Sequence, residues 1–375
     1  MLNNRLQILT EMRHETGDFY LVSLPLIHYI IFQRQLPTIS IFIIVRQKHL
    51  FLLVCPQTKR PLELSITEII KDRIKEGFLH EPVSGNKYPI VNYIPRFVPA
   101  ENYAGNFGFQ WNLHWQTQQD QYANVNLSGN RFLLETKWNN NLEGELMLEA
   151  GSGAGRFTKH AVETKATVIS FDYSGAVDAN YKVNGAYENL LLLQADIFNM
   201  PFKKNLFDKA FCFGVLQHTP DPEKAFLSIV EHIKPGGRIA SDVYLKSWKN
   251  YFHVKPYVRS FVRKLSPEKL YKFTKKYVDF FWPVARLTRK SKLGQKLISR
   301  FIAERSEQLG NVDDDLIREW TYLDTFDWFS PAYDQPQTKA QFLAWHQRAK
   351  LDNIDVNYGF NGVEGRATKP IVSTI

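Results

Sequence analysis

The sequence predicts an α/β fold, a mostly parallel seven-stranded sheet with helices on both faces. Three observations carry that prediction. Between Glu145 and Tyr244, short β-rich runs alternate with helix-like segments, the pattern of βαβ units. Three glycines at every second position, in "LEAGSGAGRFT" from Leu148 to Thr158, stand between the first run and the first helix. Acids close the second and third runs, at Asp172 and Asp196. In an open parallel sheet ligands bind beyond the carboxyl ends of the strands, so these features share one edge.

The first 50 residues hold two apolar runs, "LVSLPLIHYIIF" and "ISIFIIV", divided by "QRQLP". Neither approaches the roughly 18–20 residues that a membrane-spanning helix needs. Glu11, Glu15 and Asp18 precede the first run and no small-residue cleavage site follows it, which argues against a secretory signal. Residues 1–50 read as an N-terminal extension: packed strands, sequence ahead of the working protein, or a membrane attachment. Residues 51–100 read as a small β module. In "LVCPQTKRPLEL" and "YPIVNYIPRFV", Pro and Lys punctuate short β-rich runs.

The main domain is expected from residue 101 to residue 375. It opens with "ENYAGNFGFQWNLHWQTQQD", rich in aromatics and amides. This stretch reads either as an aromatic cluster packing a helix onto the domain or as a cover over a ligand, with Tyr103, Gln110 and Trp111 facing it. "ELMLEA" then reads as a strand, "GRFTKHAVE" as a helix, "ATVISFDYS" as a strand and "AVDANYKVN" as a short helix. "NLLLLQAD" and "FDKAFCFGVLQH" are strands. "PDPEKAFLSIVEHIK" is a helix with Pro near its start, and "GGRIASDVY" a strand. "TKAQFLAWHQRAK" is a further helix, and "NIDVNYG" and "GVEGRATKP" complete the sheet.

Composition narrows the function classes. The chain has 375 residues, 44% hydrophobic and 23% charged, which is ordinary for a globular protein. Its two cysteines, Cys55 and Cys212, share no ligand spacing, so neither a disulfide framework nor a cysteine-rich metal site is expected. A reducing, cytoplasmic setting fits. The net charge is +9, and residues 246–300 alone contribute +14, leaving the rest at −5. A basic surface on a mildly acidic body points to an anionic partner or a membrane face.

The glycine loop does not fit the dinucleotide fingerprint. Counting from Gly151, that pattern needs a glycine where this chain has Arg156. Asp172, however, lies 21 residues after Gly151, the interval at which a second-strand acid accepts hydrogen bonds from ribose hydroxyls. A nucleoside is indicated without the usual pyrophosphate arrangement.

These motifs, "LEAGSGAGRFT", "SFDYS", "QADIFNMPF", "FDKAFCFGVLQHTPDPEKAF" and "IKPGGRIASDVY", resemble those of class I S-adenosylmethionine-dependent methyltransferases. The resemblance runs from about Glu145 to Tyr244 and resumes near Thr338. It implies a Rossmann-like fold with S-adenosyl-L-methionine as cofactor. It places Gly151, Gly153 and Gly155 at the methionine portion, Glu149 at the ammonium, Asp172 at the ribose, and Asp196 and Ile197 at the adenine. Gly214, in "FGVLQH", joins the cofactor set. His218, after the fourth strand, is the candidate base; its other reading is a turn residue bonding backbone. No metal is required for in-line methyl transfer. Residues 51–100 resemble the zinc-ribbon-like module that precedes some methyltransferases, here degenerate because Thr58 stands where a second cysteine would.

The acceptor is less legible. Residues 246–337 form an insertion whose first part interleaves aromatics with Lys and Arg at roughly helical spacing. A helical cap is expected, and an amphipathic contact with an anionic membrane is a further reading. Trp328, Tyr333 and Asp334 are candidate pocket residues. The resemblance implies methyl transfer to a small molecule, glycan or lipid-linked intermediate, with nucleic acid disfavoured for want of a recognisable RNA-binding module. The competing functions are a cofactor-binding pseudoenzyme and a nucleotide-dependent oxidoreductase.

Overall fold

The central sheet has seven strands, and its order sets up the site. β5 (Leu146–Ala150), β6 (Thr167–Asp172) and β7 (Leu190–Gln194) lie in parallel on one side. β8 (Phe207–Cys212) and β9 (Ile233–Val243) continue in parallel on the other side of β5. β10 (Asp352–Gly359) and β11 (Gly362–Thr368) form a hairpin whose β11 pairs antiparallel with β9. The chain thus reverses direction of growth at β5, opening a crevice at the carboxyl ends of β5 and β8. This is the mostly parallel sheet expected from the alternating runs, in the Rossmann-like arrangement that the resemblance implies. The structure is a computed structural model that describes residues 49–99, 102–248, 252–310 and 312–371. The two apolar runs of the N-terminal extension lie outside the described residues.

The parallel strands at the centre of the sheet are rich in apolar residues because both faces are covered. In β5 every residue after Leu146 is buried, and Leu148, Ile169, Leu193 and Ala210 share one core. Helix starts are set by local chemistry. Asp221 caps the helix Pro222–His232 by accepting from the Lys224 amide at 3.0 Å, and Pro222 occupies the first turn, where its missing N–H costs nothing. Thr338 and Gln341 form a reciprocal capping box at the start of the helix Lys339–Arg348.

N-terminal to this sheet, β1 (Glu63–Ile70), β2 (Arg73–His80), β3 (Lys87–Val91) and β4 (Ile94–Pro95) make an antiparallel meander. It docks beside β7: the Phe97 amide donates to the Gln194 carbonyl at 2.7 Å, and Arg96 reaches Gln194 at 2.9 Å and Asp178 at 2.7 Å. An otherwise open sheet edge is thereby covered. Two matching turns face each other, one ahead of β1 and one between β2 and β3. The Cys55 carbonyl accepts from the Lys59 amide at 2.8 Å, and the Glu81 carbonyl accepts from the Gly85 amide at 2.9 Å. The Cys55 thiol is buried against the Tyr88 hydroxyl at 3.3 Å.

Between β9 and the last helix lies a helical cap. Its base is closed by backbone pairing, Lys246 N–H to the Gln337 carbonyl and Gln337 N–H to the Tyr244 carbonyl, each 2.8 Å. The cap's longest helix, Pro267–Thr288, buries Leu270, Thr274, Val278, Trp282 and Ala285. That three-to-four spacing turns one stripe inward, where it meets Ile317, Trp320, Phe326 and Phe329 of the helix Asp314–Phe329. Among the described residues no helix is long and apolar enough to cross a membrane.

Candidate active site

The loop after β5 explains why three glycines recur. Gly151, Gly153 and Gly155 take φ values of +83°, +53° and +80°, where a side chain is strained. Two of them also lack room. A Cβ on Gly151 would meet Val215 Cγ2 at 2.3 Å, and one on Gly155 would meet Asn180 Oδ1 at 2.1 Å. Gly155 therefore serves packing: its carbonyl accepts from Asn184 Nδ2 at 2.9 Å, tying the loop to the helix Val177–Asn184. Gly153 sits beside the Trp111 indole, with 3.3 Å between its would-be Cβ and Nε1.

The loop is pinned to the next strand. The Gly151 and Ser152 amides donate to the Phe171 carbonyl at 2.8 and 3.0 Å. The Gly153 amide donates to Asp172 Oδ2 at 2.9 Å, while Asp172 Oδ1 accepts from the Ser174 amide and hydroxyl at 2.8 and 2.7 Å. Burial raises the Asp172 carboxyl above its usual range, against the pull of these donors. Glu149 lies beneath the loop with 2% of its surface exposed and accepts from the Thr158 and Ser170 hydroxyls. Burial pushes it up to about 7, with those two hydroxyls opposing.

A cavity of about 220 Å³ opens at the carboxyl ends of β5 and β8. Of the expected cofactor residues, Gly151, Gly153, Asp172, Ile197 and Gly214 line it. His218 lines it too, as do Tyr103, Gln110, Trp111 and Trp328. Five expected residues stand just outside the wall. Glu149 and Gly155 support the loop from below. Asp196 closes its own turn by accepting from the Phe198 amide at 2.9 Å. Tyr333 packs edge-on to Tyr103, centroids 5.4 Å apart. Asp334 is tied to Lys255 at 2.7 Å.

His218 ends a short 3₁₀ turn, Leu216–His218, and its Nδ1 lies 3.0 Å from the Tyr333 carbonyl. A carbonyl only accepts, so Nδ1 carries the hydrogen and Nε2 of the neutral ring keeps a lone pair. That Nε2 is buried without a hydrogen-bond partner. Four other lining residues hold buried polar atoms in the same condition: Gln110 Oε1, Ser152 Oγ, Arg156 Nη2 and Trp320 Nε1. Buried polar groups are normally paired. A cluster of them around one cavity marks a place built for a polar ligand.

Several contributors were not foreseen. Arg131, from the helix Leu127–Thr136, pairs with Glu135 and Asp242 and lies over the Phe157 ring at 5.0 Å. Asp242 also accepts from the Gly214 amide, so this buried ion network fixes the loop after β8. Arg156, known from sequence only as a departure from the dinucleotide pattern, donates to Gln118 at 2.7 Å and Ser128 at 3.1 Å and stacks near Trp320. Burial lowers its guanidinium to about 10, with the charge of Arg131 adding to that effect. The cap supplies Trp320, Leu323, Asp324 and Asp327 to the wall. Asp324 holds Arg305 at 2.5 Å, and Asp327 accepts from the Tyr244 hydroxyl at 3.3 Å. Of these, only Arg156, in "LEAGSGAGRFT", and Asp242, in "IKPGGRIASDVY", stood inside a recognisable motif.

Residues 148–241 match the protein family described as a methyltransferase domain. The matched stretch runs from β5 to β9 and carries the glycine loop, Asp172, Gly214 and His218; the meander and the cap lie outside it. A phosphoethanolamine N-methyltransferase of Arabidopsis thaliana is 33% identical over 103 residues, 26% of this chain and 21% of that protein. A sterol 24-C-methyltransferase of Pneumocystis carinii is 32% identical over 104 residues, 26% and 28% of the two chains. A tRNA U34 carboxymethyltransferase of Campylobacter curvus is 24% identical over 119 residues, 31% and 40%. The chain spans about a fifth of the length of the first of these relatives. Their names give three different acceptors.

Proposed function

We propose that this protein is an S-adenosylmethionine-dependent methyltransferase acting on a small-molecule, glycan or lipid-linked acceptor. One observation carries the reading. The glycine loop, Asp172, Ile197, Gly214 and His218 come from successive strand ends within the segment that matches a methyltransferase domain, and all line a single cavity.

The residues present fit this cofactor. It brings a carboxylate and an ammonium at one end, a ribose and adenine at the other, and a sulfonium that supplies an electrophilic methyl group. Arg156 Nη2 and Ser152 Oγ are unpaired donors suited to the carboxylate. Glu149 offers negative charge beneath the loop for the ammonium. Asp172 is assigned to the ribose, its acceptor oxygens already oriented by Gly153 and Ser174. Asp196 and Ile197 are assigned to the adenine, with Gly151, Gly153, Gly155 and Gly214 shaping the cradle.

The protein's task in such a transfer is alignment. Holding donor and acceptor in an attack geometry lowers the barrier by roughly 7–11 kcal/mol. His218 is the proposed base, because its Nε2 lone pair faces no protein donor. The Tyr333 carbonyl holds the ring in that tautomer. Tyr103, Gln110, Trp111 and Trp328 are assigned to the acceptor side, with Tyr333 acting through His218. The paired turns at Cys55–Lys59 and Glu81–Gly85 support a degenerate zinc-ribbon origin for the meander, with hydrogen bonds such as Asn86 to Cys55 at 3.5 Å where such modules use metal.

Isothermal titration tests the reading. Heat on adding S-adenosylhomocysteine, with none on adding NAD, is the expected result and excludes the oxidoreductase. Methyl release on offering candidate acceptors excludes the pseudoenzyme. No binding of S-adenosylhomocysteine would overturn the assignment.

A further inference from the structure

The cap carries a surface that its role over the cavity does not use. Along the C-terminal half of the helix Pro267–Thr288, Phe280, Val284 and Leu287 are 76%, 48% and 81% exposed. Their spacing of four and three places them on one face, opposite the buried stripe of Val278, Trp282 and Ala285. After a turn, the next helix, Lys292–Ile298, repeats the pattern: Leu293 and Leu297 are 80% and 52% exposed while Ile298 is buried. Single exposed apolar residues need no explanation, but five on one helical hairpin, two of them in a second stripe, do.

The same hairpin is strongly cationic. Lys272, Lys276, Lys290, Lys292, Lys296 and Arg300 are all exposed. Asp279 is the one acid between residues 272 and 300, and it is bound to Arg318 at 2.6 Å. Three kinds of occupant could cover an apolar face, and the charge selects among them. A second copy of the hairpin would bring like charges together. A nucleic acid would satisfy the cations and leave Phe280, Leu287 and Leu293 without a partner. An anionic lipid surface meets both needs, taking apolar side chains among its acyl chains and the cations at its headgroups.

We infer that the hairpin of residues 272–300 docks this protein on an anionic bilayer. Phe280, Val284, Leu287, Leu293 and Leu297 insert at the interface, and the surrounding lysines pair with lipid phosphates. The inference does not rest on the proposed activity, because it uses no residue of the cavity.

Vesicle co-sedimentation of the full chain tests it. The wild type should pellet with vesicles of phosphatidylcholine and phosphatidylglycerol at least about tenfold more strongly than with phosphatidylcholine alone. The preference should fall as salt is raised from about 0.1 to about 0.5 M. Two double variants separate the parts, L287D/L293D and K290E/K292E, each changing exposed residues. Both should lose about tenfold or more in binding, with circular dichroism and the thermal midpoint reporting that the fold is intact. The inference is overturned if the wild type stays in the supernatant with anionic vesicles, or if L287D/L293D pellets like the wild type. It is equally overturned if bulk tRNA binds the hairpin with K290E/K292E sensitivity while vesicles do not.

Discussion

Replacing Glu149 by Gln isolates the cost of a buried charge beneath the glycine loop. Glu149 is 2% exposed, so solvent does not screen it. Burial moves its carboxyl from an ordinary 4.5 to about 7, even with the Thr158 and Ser170 hydroxyls donating to it. The sign follows from proton counting. Between those two values the folded chain keeps a proton that the unfolded chain has lost, so stability falls as pH rises through that window and the loss is complete above it. A displacement of this size is worth about 3 kcal/mol. Gln has the same shape, accepts the same two hydrogen bonds and never ionises. Urea unfolding of both proteins at intervals from about pH 5 to about pH 8 should therefore show E149Q gaining on the wild type by about 2–3 kcal/mol across the series. A difference that stays flat with pH would refute the reasoning about burial. Titration with S-adenosylhomocysteine over the same range addresses the ligand separately. If the ligand's ammonium is held by Glu149, complex formation favours the ionised carboxylate, so wild-type affinity rises with pH and that of E149Q does not. Parallel profiles would remove Glu149 from the ammonium site while leaving the stability result standing.

Three further outcomes are expected. Asp172→Ala should weaken S-adenosylhomocysteine binding by about 1.5–3 kcal/mol, the scale of a charged hydrogen-bonding group, read by isothermal titration; unchanged affinity would take Asp172 out of the site. His218→Asn should lower kcat about 10²-fold or more with little change in cofactor affinity, provided the acceptor must be deprotonated; an unaltered kcat would return His218 to a structural role. Gly151→Ala should destabilise the fold by about 1–3 kcal/mol, since the new methyl meets Val215 and the φ of +83° is unfavourable; a thermal midpoint equal to the wild type would show that the loop adjusts at no cost.

Much of the fold was written locally. The alternation of β-rich and helical runs gave the parallel sheet, because strands buried on both faces must be apolar and their crossovers must be helical. The spacing of Gly151, Gly153 and Gly155, and the interval to Asp172, pointed to one sheet edge, and there Gly151, Gly153 and Asp172 line the cavity, because adjacent strand ends are joined by one crossover.

What the chain order concealed is the part of the wall assembled across long separations. Arg131 meets Asp242 across 111 residues, and His218 meets the Tyr333 carbonyl across 115. No local pattern encodes such pairs, since a buried arginine and a surface arginine look alike until packing removes the water around one of them. The reason three glycines stand together was also only half visible. Sequence suggested a backbone brought close to a ligand, and the folded chain adds that Gly151 and Gly155 are required by Val215 and Asn180. Local sequence determined the elements and the edge on which they end. Tertiary packing decided which polar atoms were left unpaired around the cavity, because desolvation is a property of neighbours that only the fold brings together.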